Sequence, residues 1–442
     1  MITLQRSTSM KTALRTRTLS AIALAATGAL ALAGCGSSGG DADTGGTVTL
    51  TFSSWLPTQD QWSEIIEAFE EENPDIDIEF SRDEDYASYL TNLDNAILAG
   101  ETPDLYGVQV GSSFDDYAEF ALPVDDYAAG WIDGVSEGAL EQTTTTDGTL
   151  AAVPLLTAGM QFYLYNQTLF EELGLSLPTD YDSLLEMSEA AREAGIAPMA
   201  MGAGDTWHSA DFFVWLSNQF GEGGDIYRAA SGDIPWDSDS LVAAAEVWQS
   251  LFADGIFQDG ATTTTTYPSA RDDYFLARRA LGMPTGSWHV GATLSTSPEV
   301  PGSEVEGDAI GMAPFPTLGE TDAGATSGVD FAIAVSGDID EAKQEAAATF
   351  VEFMAVGAGQ QIWVNRLQGF PVATDVDVEL KEGESELAQE SVALVTETMQ
   401  ASEYPRKLVS PGNDSLETDL GVVLQNIADG ADPASELATL ND

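Results

Sequence analysis

Between residues 48 and 108 the apolar pattern changes period four times, and that alternation restricts the chain to few architectures. Val48-Thr49-Leu50-Thr51-Phe52 alternates with the period of a strand. Trp62, Ile65, Ile66 and Phe69 then recur at helical spacing over about Gln59 to Glu72, where Asn73-Pro74 stops the helix. Ile76 to Phe80 reads as a second strand, about Ala87 to Ala99 as a second helix closed by Gly100, and Pro103 to Val108 as a third strand. Strand–helix–strand–helix–strand predicts an α/β fold with a parallel sheet and helices on both faces.

The segment before this domain has another character. Lys11, Arg15 and Arg17 precede an apolar, Ala-rich stretch from about Leu19 to Leu32, too short to span a bilayer. Leu32-Ala33-Gly34-Cys35 follows, holding the chain's single cysteine, and then a Gly-Ser-Asp run to Gly46. The arrangement resembles a bacterial lipoprotein signal, with residues 1–34 removed, Cys35 lipidated, and 35–47 a flexible tether. Translation from Met10 would also give a signal of usual length. Residues 35–442 carry all 73 Asp and Glu but only 11 Lys and Arg, a formal charge of −62. That charge argues against nucleic acid and anionic lipid as partners, while 43% hydrophobic residues argue against a disordered polyanion. Without further cysteines, disulfides, thiolate metal sites and cysteine nucleophiles are excluded. The length suits two domains.

Farther along, a strand is expected at Met160–Asn166. Helices are expected near 168–173, 180–194, 210–220, 240–254, 268–279, 341–356 and 386–401. Short strands are expected at 309–315 and 331–335. The threonine runs 143–146 and 262–266 read as polar loops or edge strands.

Six segments in order then resemble the extracellular solute-binding proteins of ABC importers, in the carbohydrate-binding group called family 1. Asp147-Gly148-Thr149-Leu150-Ala151-Ala152-Val153-Pro154 is similar to that group's "DGKxYAVP", and Tyr165 to Leu175 to its "YNxxLFxxxGL". Pro178 to Leu184 resembles "PxTWDEL", with Tyr181 for the usual Trp, and Ala280 to Trp288 resembles "AAMxxxGxW". Ile310–Pro316 and Ser327–Ile333 resemble "xGxxPxP" and "xGGxxxAI", with Gly-Val-Asp at 328–330 where two glycines are common. The resemblance implies a two-lobed periplasmic-binding-protein-like fold of type II that closes by a hinge on a solute. It would place 48–156 plus 327–358 in lobe 1 and 157–326 plus 359–442 in lobe 2. It also implies ABC permease subunits as partners, no cofactor and no metal, a monomer, and a place outside the cytoplasm on the outer face of the cell membrane.

A sugar offers hydroxyls at its ring edge and C–H groups on its faces, so its site needs aromatic platforms and planar polar groups. Trp55 follows the first strand, at the end where open α/β sheets bind ligands. Trp288 ends the Gly-Ser-Trp strand, Trp207 and His208 lie in a polar run, and Trp236 follows Pro235 in a loop. Gln109 follows the third strand, Gln161 lies on the strand near the expected hinge, Asp330 follows a glycine turn, and Arg366 is a further polar candidate. These nine residues are the candidate ligand contacts. Trp62, Trp215, Trp248 and Trp363 sit at core spacing and read as packing. No GxSxG, HExxH, P-loop or GxGxxG-plus-acid pattern stands in a supporting context, so catalytic residues are not expected. Binding of a polyamine, a cationic peptide or a glycerol-phosphate-type solute on the same fold stays open, as does a secreted glycoside hydrolase.

Overall fold

The alternation at the front of the chain folds as two βαβ crossovers. The structure is a computed structural model that describes residues 46–441, apart from 57–58, 84–85, 112–113, 367–368, 411–412 and 414. The signal-like segment, Cys35 and most of the tether lie outside the described residues. Ten strands form the sheet: β1 Val48–Ser54, β2 Ile76–Arg82, β3 Leu105–Val108, β4 Val153–Asn166, β5 Ala197–Met199, β6 Ala280–Gly286, β7 Ile310–Pro314, β8 Thr326–Val335, β9 Phe370–Pro371 and β10 Tyr404–Pro405. β1 pairs in parallel with both β2 and β3, so the helices Gln59–Glu72 and Tyr86–Ala99 are the crossovers. The spatial order is β2-β1-β3-β8-β4-β6-β5.

β4 is longer than its sequence suggests. A strand is expected from Met160, yet it begins at Val153, and all but one of its 14 residues are buried. With both faces covered, there is no in–out alternation to read. Its first half pairs with β8, from Val153↔Ile333 to Met160↔Thr326. Its second half runs between β6 and β7, pairing Tyr165 with Gly282 and Asn166 with Ile310. One strand therefore belongs to both halves of the molecule.

Two large cores flank it, one in each lobe. The first gathers Phe52, Trp62, Phe69, Phe331 and Phe350, with Trp62 edge-on to Phe52 at 4.7 Å and to Trp363 at 5.1 Å. Trp363, Val364 and Val372 join this core although the family resemblance would place residues after 358 in the other lobe. The second core centres on Phe212, Trp215, Trp248, Phe257 and Phe315. It is built on the helices Thr206–Ser217, Asp239–Ala253 and Leu416–Ala428. Burying each such aromatic side chain contributes on the order of 2–3 kcal/mol.

The segment expected as one helix over 268–279 is instead a three-residue turn, Tyr267–Ser269, followed by a π-helical turn, Ala270–Phe275. Among the described residues no helix is long and apolar enough to cross a membrane.

Candidate functional site

The carboxyl ends of the parallel strands open onto a cleft of about 470 Å³. Trp55 follows β1, Arg82 ends β2 and Gln109 follows β3, so three neighbouring strands deliver three of its lining residues. Trp55 is held at an angle to Tyr86, Tyr89 and Phe331, with ring centroids at 4.6, 5.0 and 5.4 Å. Tyr86 also lines the cleft.

The facing wall comes from the second lobe. Asp205 stands just before the helix Thr206–Ser217, and its Oδ2 accepts from the Tyr267 backbone N–H at 2.8 Å. That bond draws the end of the threonine run against the helix start. A side chain at Gly202 would collide with the Tyr267 backbone, so the close approach requires glycine there. Tyr267 then lies 4.9 Å from Trp207, centroid to centroid, and Trp207 lies 6.3 Å from Trp288. The Trp288 Nε1–H donates to the Tyr267 hydroxyl at 2.7 Å. Behind it, the same hydroxyl bonds to Thr285 Oγ1 and meets His289 Nδ1 at 3.1 Å. Trp288 folds back over Gly286, where a Cβ would overlap its ring, which is the physical reason for glycine in the Gly-Ser-Trp turn.

Charged groups complete the lining. Arg406 follows β10, which pairs with β8, and its backbone N–H donates to the Ser327 carbonyl at 3.1 Å. The Arg406 guanidinium lies 4.6 Å over the Trp288 ring. It donates to Asp211 from Nε and Nη2 at 3.0 and 2.8 Å, and to Asp330 from Nη1. Lys407 donates to Asp211 and Glu417, each at 3.2 Å. Burial alone would raise the Asp211 pKa, but the two cations outweigh it and hold that carboxyl below its usual range. Arg271 donates to Asp272 at 2.6 Å and to Glu299 at 3.2 Å, while burial pushes the Glu299 carboxyl up.

Five of the nine expected residues meet in this cleft: Trp55, Gln109, Trp207, Trp288 and Asp330. The other four do not line it. His208 is fully buried beneath Trp207 and Tyr267, and desolvation pushes its pKa down to about 4. Gln161 is buried within β4, and neither polar atom of its amide has a hydrogen-bond partner. Trp236 is packed in the second core, its backbone N–H donating to Asn441 Oδ1 at 2.8 Å. Arg366 is exposed and paired with Glu64 on the helix Gln59–Glu72. Sequence reasoning missed Arg82, Tyr86, Tyr267, Arg271, His289, Glu299, Arg406 and Lys407. For the cations a signal existed: in a chain so poor in Lys and Arg, each one is conspicuous.

A second hollow of about 410 Å³, lined by Val110, Phe114, Gln142, Tyr227 and Val409, shares Lys407 with the cleft.

A model of the family described as "Bacterial extracellular solute-binding protein" matches residues 64–389. The "Multiple sugar-binding protein" of Streptococcus mutans is 24% identical over 318 residues, covering 70% of this chain and 71% of that protein. A solved structure from work on xylan utilization by the thermophilic bacterium Caldanaerobius polysaccharolyticus matches with a TM-score of 0.74. It is 20% identical and covers 89% of this chain and 99% of the other. The GacH receptor of Streptomyces glaucescens matches with a TM-score of 0.72 and 18% identity, over 90% of this chain and 97% of its own. The matched span is most of the domain and includes both walls of the cleft apart from Trp55, Leu56, Arg406 and Lys407: this chain belongs to the bacterial extracellular solute-binding proteins.

Proposed function

We propose that the protein captures a mono- or oligosaccharide outside the cytoplasm, by closure of its two lobes, and delivers it to an ABC permease. The observation that carries this reading is a cleft with aromatic faces on both walls, Trp55 and Tyr86 from one lobe and Trp207, Trp288 and Tyr267 from the other. Aromatic faces match the C–H faces of sugar rings, and the intervening Gln109, Asp330 and Arg271 match ring-edge hydroxyls. The cleft volume lies within the range of small-molecule sites. Curated relatives with sugar-binding names, from Streptococcus mutans and Rhizobium meliloti, support the same reading.

Closure would turn on the shared strand β4 and its partner β8, since a ligand touching both walls favours the closed arrangement. The packing of Trp363 and Val372 argues for extending lobe 1 beyond residue 358 to about Ala373. Binding would involve no covalent chemistry, and the protein would act as a monomer. Cys35 and the run 36–46 would tether it to the outer face of the membrane within reach of the permease.

A thermal-shift screen against sugars, polyamines and phosphodiesters tests the reading. At least one sugar should raise the midpoint of the purified protein. Trp288→Ala, and Gly286→Ala, which pushes the Trp288 ring from its seat, should each remove most of that shift. A shift with spermidine and with no sugar overturns the carbohydrate reading.

A further inference from the structure

We propose that the solute is an acidic saccharide, one bearing a carboxylate or sulfate group; the inference rests on the carbohydrate reading and deepens it. Residues 35–442 contain eleven Lys and Arg. Four of them, Arg82, Arg271, Arg406 and Lys407, stand among the fourteen described residues that line the cleft. Of the 73 acidic residues, that described lining includes only Asp330 and Glu299. More than a third of the cations therefore occupy a small fraction of the chain, while the acids show no such gathering.

The four arrive on three separate segments. Arg82 ends β2, Arg271 belongs to the π-helical turn Ala270–Phe275, and Arg406-Lys407 follow β10. The acids that anchor them stand mostly behind them. Asp211 is buried beneath Arg406 and Lys407 and is not part of the lining, nor are Glu417 and Asp272. Arg406 and Lys407 share the buried Asp211 behind the lining, while Arg406 also pairs with Asp330 and Arg271 with Glu299 within it.

Arginine and lysine donate hydrogen bonds and accept none. A neutral pyranose hydroxyl both donates and accepts, and Gln or Asp serves it without importing cations. A carboxylate or sulfate only accepts, and it meets a guanidinium with two parallel bonds. A chain with a formal charge of −62 over residues 35–442 repels anions at long range, so Arg and Lys donors gathered in the cleft are the local arrangement that would let one bind.

The test is a glycan array of neutral, uronate-bearing and sulfated saccharides probed with the purified protein, followed by calorimetry on matched pairs. In each pair the neutral member carries a hydroxymethyl or free hydroxyl where the acidic member carries its anion. The acidic member should bind at least about tenfold tighter, the worth of one charge-assisted hydrogen bond, and added salt should shrink the difference. The uronate and sulfate arms identify which anion is preferred. Arg82→Gln and Arg271→Gln alter half-exposed side chains, unlike the buried Arg406. Each should weaken binding of the acidic member by a larger factor than binding of the neutral member, in a protein that still melts cooperatively. Equal or tighter binding of the neutral members, or an acidic preference untouched in both variants, overturns the inference and leaves the carbohydrate reading standing. Binding of no glycan at all, or of glycerol phosphate alone, overturns both.

Discussion

His289 shows how a single side chain couples the cleft to acid stability. Its ring stacks on Tyr267 at 5.5 Å, and its Nδ1 meets Thr285 Oγ1 at 3.0 Å. Burial pushes its pKa down to about 3, with Arg271 adding to the shift and Asp272 opposing it; Glu299 lies 3.9 Å from Nε2. His208, edge-on to Tyr267 at 4.6 Å, is pushed down to about 4 by burial against the opposing pull of Asp211. Both rings are neutral in the folded protein and titrate near 6.5 when unfolded. Their contribution is therefore complete above that pH and is lost as pH falls from there through the folded values, because the unfolded chain takes up protons that the fold excludes. Each histidine steepens the loss by about 1.4 kcal/mol per pH unit. Asp211, held low by Arg406 and Lys407, acts in the same direction, and Glu299, held high by burial, acts against it. Denaturant unfolding between about pH 7 and about pH 4.5 checks this. Stability should fall with acid, and His289→Gln should flatten the slope by about one proton's worth. An unchanged slope in that variant would show that the ring takes up its proton in the fold over the same pH range as in the unfolded chain.

At the scale of elements, the Tyr165–Leu175 signature is a capped helix and no part of the cleft. Asn166 Oδ1 accepts from the Leu169 N–H at 3.0 Å, and its Nδ2 donates to Asp308 at 2.6 Å. Gly174, at φ +66°, stops the helix Gln167–Leu173 after two turns. Asn166→Ala removes the cap and strands a buried partner, which should cost about 1–3 kcal/mol in denaturant unfolding. Binding of the bound sugar should be nearly unchanged, whereas a selective loss of affinity would place Asn166 in the site. The same distinction explains what could be read in advance. Periodicity locates Gln59–Glu72 and Ile76 onward almost to the residue, because one face of each is exposed and the pattern survives. It fails for Val153–Gly159, where burial on both faces erases the pattern. Pro235-Trp236 looks like a loop, yet the Trp236 ring fills the second core. Trp55 and Trp288 were legible as cleft-lining residues, since Trp55 directly follows β1 and Trp288 comes two residues after β6. The Arg406 grip was not, because Asp330 and Asp211 lie 76 and 195 residues away in sequence and meet it only once β10 docks on β8.

For the whole molecule, charge is the dominant unspent term. Eleven cations face 73 acids after residue 34, and four of those cations line the cleft, so the outer surface is more acidic than the average suggests. The fold must hold those carboxylates closer together than the unfolded chain does, and their repulsion opposes folding. Salt relieves it over a defined range: the screening length falls from roughly 20 Å at about 20 mM to under about 6 Å at about 300 mM. Each kcal/mol of relieved repulsion corresponds to roughly 2 °C in a domain of this size. Melting followed against NaCl should therefore climb by several degrees, with most of the rise below about 300 mM, before salting-out effects begin. Ligand affinity for an acidic saccharide should move the opposite way over the same range, because there salt screens an attraction. A melting point indifferent to salt would mean that the acidic surface is already neutralised by bound counterions, whereas affinity that rises in parallel with the melting point would mean that the cleft gains nothing from its cations.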